Sequence, residues 1–319
     1  MAPIIALCPG QGSQKPKMAL DYYQMSKRVQ ELFTLASDIT KIDAFKLLSE
    51  GTEDNLKQTQ ATQLAVTLAT RSAVFRLDEL GHSPIAYSGF SLGELAAYAS
   101  AGIFDDQTLF RIIQKRSSLM DEQAQKAHKQ YGNLSMAAVI GLDYETVFQA
   151  IEQEQLQGVY AANDNGPTQV VISGLEASIA EAKSLLQQKG ARRVIPLKVS
   201  GPFHTPFMEG ATESFRSFLA DLPFNNPDVK VISSVDGSFI MNKEEARDHL
   251  SRQLAKPVRW REVMQVVASL AKATGSQVAE IGYGNVLSSL CKNSALPINC
   301  LSLTEETALQ TYAKEQHHE

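Results

Sequence analysis

Cysteine is scarce in this 319-residue chain: Cys8, Cys291 and Cys300 are an odd number, without paired spacing and without a nearby cluster of histidines. That argues against a disulfide framework and against a zinc site, and leaves the three as core fillers or passengers. No apolar run approaches the ~20 residues that a membrane helix needs, so no membrane role is expected. Long basic stretches are missing too, and a formal net charge of −5 gives a nucleic-acid role little electrostatic support. Internal repeats and low-complexity tracts are absent. Residues Met1–Cys8 carry neither a basic n-region nor a small-residue cleavage site; they read as a first buried strand, with a cytoplasmic location expected.

Hydrophobic residues at 44% and charged residues at 20% are ordinary for a globular protein. The length lies near the upper end of what one core covers, so one main domain with an insertion is expected. After the first strand comes a glycine-rich turn, Pro9-Gly10-Gln11-Gly12-Ser13-Gln14, and then mainly helical sequence through Leu80. The segment 84–89 is short and bounded by turn formers, as a buried strand is, and 92–98 has helical composition. The middle of the chain predicts strand 135–140, helix 144–154, strands 158–163 and 169–173, helix 177–188 and strand 192–197. That βαββαβ series is the ferredoxin-like order. The polar stretch 121–130 reads as the linker into it and 196–201 as the return. Beyond lie a strand at 229–234, a turn at Asp236-Gly237, a helix from Lys243 that Pro257 ends, and a strand at 277–281 before Gly282-Tyr283-Gly284. Strands alternating with helices imply a mostly parallel sheet in the main domain. The expected boundaries are 1–130 with 198–319 for the main domain and 131–197 for the insertion.

Gly89-Phe90-Ser91-Leu92-Gly93 is a G-x-S-x-G pattern in a strand–turn–helix setting. The flanking glycines allow a sharp strained turn that lifts the serine oxygen above the sheet edge. The following helix directs its N-terminal N–H groups at the same point, where a developing oxyanion is stabilised. A serine nucleophile needs a base, and six histidines are available. His317 and His318 lie in a polar tail, His128 in a charged linker, His249 in a polar helix and His82 in a Gly-His-Ser-Pro turn. His204 stands in Val199-Ser200-Gly201-Pro202-Phe203-His204-Thr205-Pro206, a rigid loop after a buried strand, where α/β folds gather functional groups. A loop histidine making only local hydrogen bonds is the alternative. Two basic spots, Arg192-Arg193 and Lys256/Arg259/Arg261, stand out, with solvated surface the alternative for each.

The order of short motifs resembles the malonyl-CoA:acyl-carrier-protein transacylases of fatty-acid synthesis and their polyketide-synthase relatives. The matching residues run from Pro9–Gln14 through Thr62-Gln63, Gly89–Glu94, Lys115-Arg116 with Met120, and Met136–Gly141. They continue through Ala162–Asn165, Gln169–Gly174, Gly201–His204, Gln253 with Pro257–Trp260, and Glu280–Gly284, and so cover nearly the whole chain. The resemblance implies an α/β-hydrolase-like main domain with the ferredoxin-like insertion. It implies Ser91 as nucleophile and His204 as general base, a dyad whose imidazole is oriented by the backbone carbonyl of Gln253 and not by an aspartate. It implies an oxyanion hole from the backbone N–H groups of Gln11 and Leu92.

Arg116 is the residue implied to select the substrate: a guanidinium fork takes a malonyl carboxylate through two charge-assisted bonds, and an acetyl group offers it nothing. An ordinary helix-surface arginine is the alternative. Phe203 matches the malonyl-type pattern, in which a bulky ring narrows the pocket; methylmalonyl-type relatives carry serine there. Gln63, Asn163 and Asn165 are expected to line or support the pocket, with a structural amide the equal alternative for each. Phe90 departs from the histidine most members carry before the nucleophile. Tyr283 replaces a proline and Ser234 a frequent asparagine, both read as tolerated variation.

The expected activity is ping-pong transfer of malonyl from malonyl-CoA to the phosphopantetheine thiol of acyl carrier protein, without cofactor or metal, by a monomer. Arg192-Arg193 is also a candidate docking patch for an acidic carrier. The alternatives are an acyltransferase or acyl hydrolase of a polyketide-type pathway, and a catalytically silent scaffold that docks carrier proteins. Arg116 argues against a hydrolase of neutral acyl groups.

Overall fold

Residues 4–8 are five apolar residues in a row, and all five are buried in strand β1 (Ile4–Cys8). An uninterrupted apolar run is what a strand covered on both faces requires. Ile4, Ala6 and Cys8 join one core and Ile5 and Leu7 the other, the two-residue alternation of a pleated strand. In the computed structural model, which describes residues 2–197, 199 and 201–316, β1 is the middle of a five-stranded sheet. The other strands are β2 (Ala86–Gly89), β7 (Lys230–Ile232), β8 (Gln277–Ile281) and β9 (Cys300–Leu303), in the order β7-β2-β1-β8-β9. Every neighbouring pair is parallel.

Counted within this sheet the order is 3-2-1-4-5, the doubly wound arrangement whose ligand crevice lies beyond the carboxyl ends of the strands at the point of reversal. The expected α/β-hydrolase-like label therefore describes the strand–turn–helix around Ser91, not the order of the strands. Helix Thr59–Glu79 is buried along nearly its whole length against one face, and Trp260–Thr274 and Val286–Lys292 cover the other with Trp260, Val263, Val267 and Leu287.

The second sheet holds β3 (Leu134–Ile140), β4 (Val159–Gly166), β5 (Gln169–Leu175) and β6 (Arg193–Pro196), in the order β4-β5-β3-β6 with all neighbours antiparallel. Helices Tyr144–Gln153 and Glu176–Gln188 pack on it around a separate core of Val139, Val147, Ile151, Val170, Ile172 and Leu186. This small domain is stitched to the main one through Val258, whose N–H donates to the carbonyl of Ala162 (2.9 Å) and whose carbonyl accepts from Asp164 N–H (2.8 Å). Irregular register at Ala161/Asn163 and Asp164/Gly166 marks β4 as bulged beside that seam. Bulges re-aim side chains, and both Asn163 and Asn165 line the cleft described below.

The expected linker at 121–130 is instead the end of a 26-residue helix, Asp106–Tyr131. Asp105 caps its start by accepting from Thr108 N–H, and Gly132, at φ 95°, closes it. Met120, Ala124 and Ala127 are buried at helical spacing, so the charge that suggested a linker is the solvent face of an amphipathic helix. His128 accordingly sits in its last turn. The return segment 196–201 includes Lys198 and Ser200, which lie outside the described residues, as do His317 and His318. Strand β9 and helices Trp260–Thr274 and Val286–Lys292 were not anticipated.

Candidate active site

The loops after β1 and β2 meet at the carboxyl edge of the sheet. Ser91 has φ 50°, a left-handed conformation that is costly for a residue with a side chain and is held by its surroundings. Its flanking glycines are obligatory for contact: a Cβ on Gly89 would lie 2.1 Å from the carbonyl carbon of Gly93, and one on Gly93 would lie 2.1 Å from the carbonyl oxygen of Cys8. Helix Gly93–Ser100 starts directly after, with Leu92 at its cap.

His204 also has a positive φ, 61°, and its N–H is tied to the carbonyl of Leu254. Its Nε2 lies 2.8 Å from Ser91 Oγ. Its Nδ1 faces two carbonyl oxygens, of Gln253 at 2.9 Å and of Lys256 at 3.1 Å. Carbonyls only accept, so the Nδ1 proton is fixed and Nε2 is the lone-pair nitrogen turned to the serine hydroxyl. Among the described residues no carboxylate contacts this ring. Burial, and next the Arg116 charge, pull His204 down to about 4, so it is neutral at physiological pH.

Arg116 is 2% exposed, on the inner face of helix Asp106–Tyr131. Its Nη2 donates to Gln253 Oε1 at 2.9 Å and stands 3.5 Å from Ser91 Oγ; its Nε has no acceptor among the described residues. Burial lowers it to about 10, opposed by the charge of Glu94, so it remains cationic near neutrality. A buried cation with a free donor beside a serine hydroxyl has the chemistry to receive an anion.

The cleft around these groups has a volume of about 190 Å³. Gln11, Phe90, Leu92, Phe203, Asn163 and Asn165 all line it, as do Met120, Met136 and Leu290. Among the described residues the N–H groups of Gln11 and Leu92 have no acceptor within the protein. Phe90 packs edge-on against Trp260, with ring centroids 5.2 Å apart. Gln63 is the exception among the expected pocket residues: fully buried in helix Thr59–Glu79, it donates to Met120 Sδ at 3.2 Å and supports a lining residue from behind. A larger groove of about 560 Å³, between Thr40, Arg111, Lys115 and Phe218, shares no residue with this cleft.

Sequence reasoning missed three features here. Lys256 supplies a second carbonyl to His204. The Gln253 side chain, not only its carbonyl, belongs to the site. Glu94 and Ser234 form a buried polar pair beneath it. The glutamine's place four residues before Pro257, at the last position of helix Lys243–Gln253, gave no signal of this.

A serine–imidazole pair with free backbone N–H donors and a buried guanidinium in one cleft defines an acyl-transfer type of site. The chain belongs to the acyl transferase family, whose domain model matches residues 6–286. Within it, the chain is 34% identical over 93% of its length to the malonyl CoA-acyl carrier protein transacylase of Haemophilus influenzae, covering 94% of that protein. It superposes with a TM-score of 0.88 on an acyl carrier protein S-malonyltransferase from Vibrio cholerae, at 31% identity and covering 98% of this chain and all of that one. A malonyl-transacylase solved with its type II polyketide-synthase acyl carrier protein gives a TM-score of 0.90, at 31% identity and the same coverage.

Proposed function

We propose that this acyltransferase moves the malonyl group of malonyl-CoA to the phosphopantetheine thiol of an acyl carrier protein, supplying extender units for fatty-acid synthesis from the cytoplasm. The observation that carries the reading is the meeting of the Ser91–His204 contact at 2.8 Å with the buried, partly unpartnered Arg116 in one cleft. The names and near full-length coverage of the relatives support it.

In the first half-reaction Ser91 Oγ attacks the thioester carbonyl carbon while its proton passes to His204 Nε2. The carbonyl oxygen becomes an oxyanion between the N–H groups of Gln11 and Leu92. The C–S bond then breaks, and the imidazolium returns its proton to the departing coenzyme A sulfur. The product is a malonyl ester on Ser91. In the second half the carrier thiol gives its proton to Nε2, its sulfur attacks the ester carbonyl, and Ser91 leaves with the proton restored. Arg116 holds the malonyl carboxylate throughout, and Phe203 limits the space beside the α-carbon. Arg192 and Arg193 are exposed at the small domain's last strand and offer a surface for an acidic carrier.

Initial rates at varied malonyl-CoA and phosphopantetheinylated carrier test this reading. Parallel double-reciprocal lines with malonyl-carrier as product are expected; no carrier-dependent product, or intersecting lines, refutes it.

A further inference from the structure

Glu94 is completely buried, yet it touches neither the cleft nor a basic side chain; its partners are neutral donors. Oε1 accepts from Ser234 N–H at 2.9 Å and from the Tyr98 hydroxyl at 3.4 Å. Oε2 accepts from Ser234 Oγ at 2.9 Å and from Gln253 Nε2. Gln253 Nε2 also donates to the Ser91 carbonyl at 3.0 Å, and its Oε1 takes the Arg116 bond. A glutamine amide has two orientations of nearly equal shape, and only its partners choose between them.

We infer that Glu94 is a positioning residue for substrate selection: its acceptor-only carboxylate locks the Gln253 amide with Oε1 toward Arg116, and so aims the guanidinium at the acyl carboxylate. The inference rests on the proposed role of Arg116. It follows from donor arithmetic. Arginine has only donors and so requires the Gln253 oxygen; a carboxylate at the far end can receive only the Gln253 nitrogen. The Ser234 N–H is a fixed backbone donor and demands an oxygen opposite it. In Glu94→Gln the new amide must therefore keep its oxygen toward Ser234 N–H and turn its NH₂ toward Gln253. Gln253 Nε2 then meets that NH₂, donor against donor: Gln253 either holds its bonds to Arg116 and the Ser91 carbonyl against this repulsion or gives up both by flipping, and either way the buried anchor of the guanidinium is weakened.

The test measures acylation by malonyl-CoA and by acetyl-CoA in wild type, Glu94→Gln, Ser234→Ala and Arg116→Ala. Glu94→Gln is expected to raise the malonyl KM with a smaller change in kcat, lowering malonyl kcat/KM about tenfold or more. Acetyl kcat/KM should move much less, so the malonyl preference falls toward that of Arg116→Ala. Ser234→Ala keeps the backbone donor and the carboxylate and should keep the preference. Equal losses for both substrates, or an unchanged malonyl preference in Glu94→Gln, overturns the inference. If Glu94→Gln does not fold, Glu94→Met tests the same link by removing the carboxylate and leaving Gln253 and its bond to Arg116 in place, and a retained malonyl preference there has the same force. An unchanged preference in Arg116→Ala would instead refute the role of Arg116 itself.

Discussion

Acid should inactivate this enzyme later than an ordinary histidine base would allow. His204 is 6% exposed, and its burial together with the Arg116 charge brings it from 6.5 down to about 4. At pH 5.5 a base titrating at 4 is about 0.97 deprotonated and one at 6.5 only about 0.09, a tenfold difference in active enzyme. The acid limb of kcat/KM, which reports the free enzyme, is therefore expected well below pH 5.5. A bound malonyl carboxylate offsets the Arg116 charge, so the limb in kcat should lie at higher pH than the limb in kcat/KM. The same shift bears on stability. The folded value lies below the unfolded one, so the contribution is complete above pH 6.5 and is lost as pH falls toward 4, about 3 kcal/mol in all. Urea unfolding at pH 7, 6, 5 and 4.5 for wild type and His204→Asn measures it; the variant should lack that part of the slope. A kcat/KM limb centred at 6.5 or above, or identical slopes in the two proteins, would refute the assignment of a buried neutral base.

Other outcomes follow from single contacts. Asp106→Asn breaks the two-bond pair with the buried Arg71, at 2.7 and 3.1 Å, and should cost about 3 kcal/mol in urea unfolding, with acyl selectivity unchanged. Gly93→Ala drives a methyl into the Cys8 carbonyl, and a loss above about 3 kcal/mol, or failure to fold, is expected in expression and thermal melts. Phe203→Ser widens the cleft where the acyl α-carbon would lie and should raise acylation by methylmalonyl-CoA relative to malonyl-CoA; competition between the two donors, read by mass, measures it.

Much of the site was legible because its signals are local. The two glycines around Ser91 and the Pro-rich loop around His204 each specify a backbone conformation, and both residues take positive φ. Family resemblance singled out Arg116, which helical periodicity alone leaves as a surface cation. What stayed hidden is what depends on long-range pairing. Glu94 reads as an acid near a helix N-terminus, and its partners Ser234 and Gln253 are 140 and 159 residues away. Gln63 belongs to the Thr62-Gln63 motif that the resemblance includes, yet its helix turns it behind Met120. The insertion's strands were visible as short apolar runs set between helices in a βαββαβ series, whereas the four-residue β9 at the sheet edge was too short to stand out. Its absence from the reading left the strand order, and with it the doubly wound arrangement, undetermined.

The central claim is that Ser91 carries malonyl as an ester between two thiols, and intact-protein mass spectrometry after brief exposure to malonyl-CoA tests it most directly. The account predicts one malonyl adduct on wild type, none on Ser91→Ala, and loss of the adduct when phosphopantetheinylated carrier is added. An adduct that persists in Ser91→Ala, or no adduct on a wild-type protein that still transfers malonyl, would contradict it.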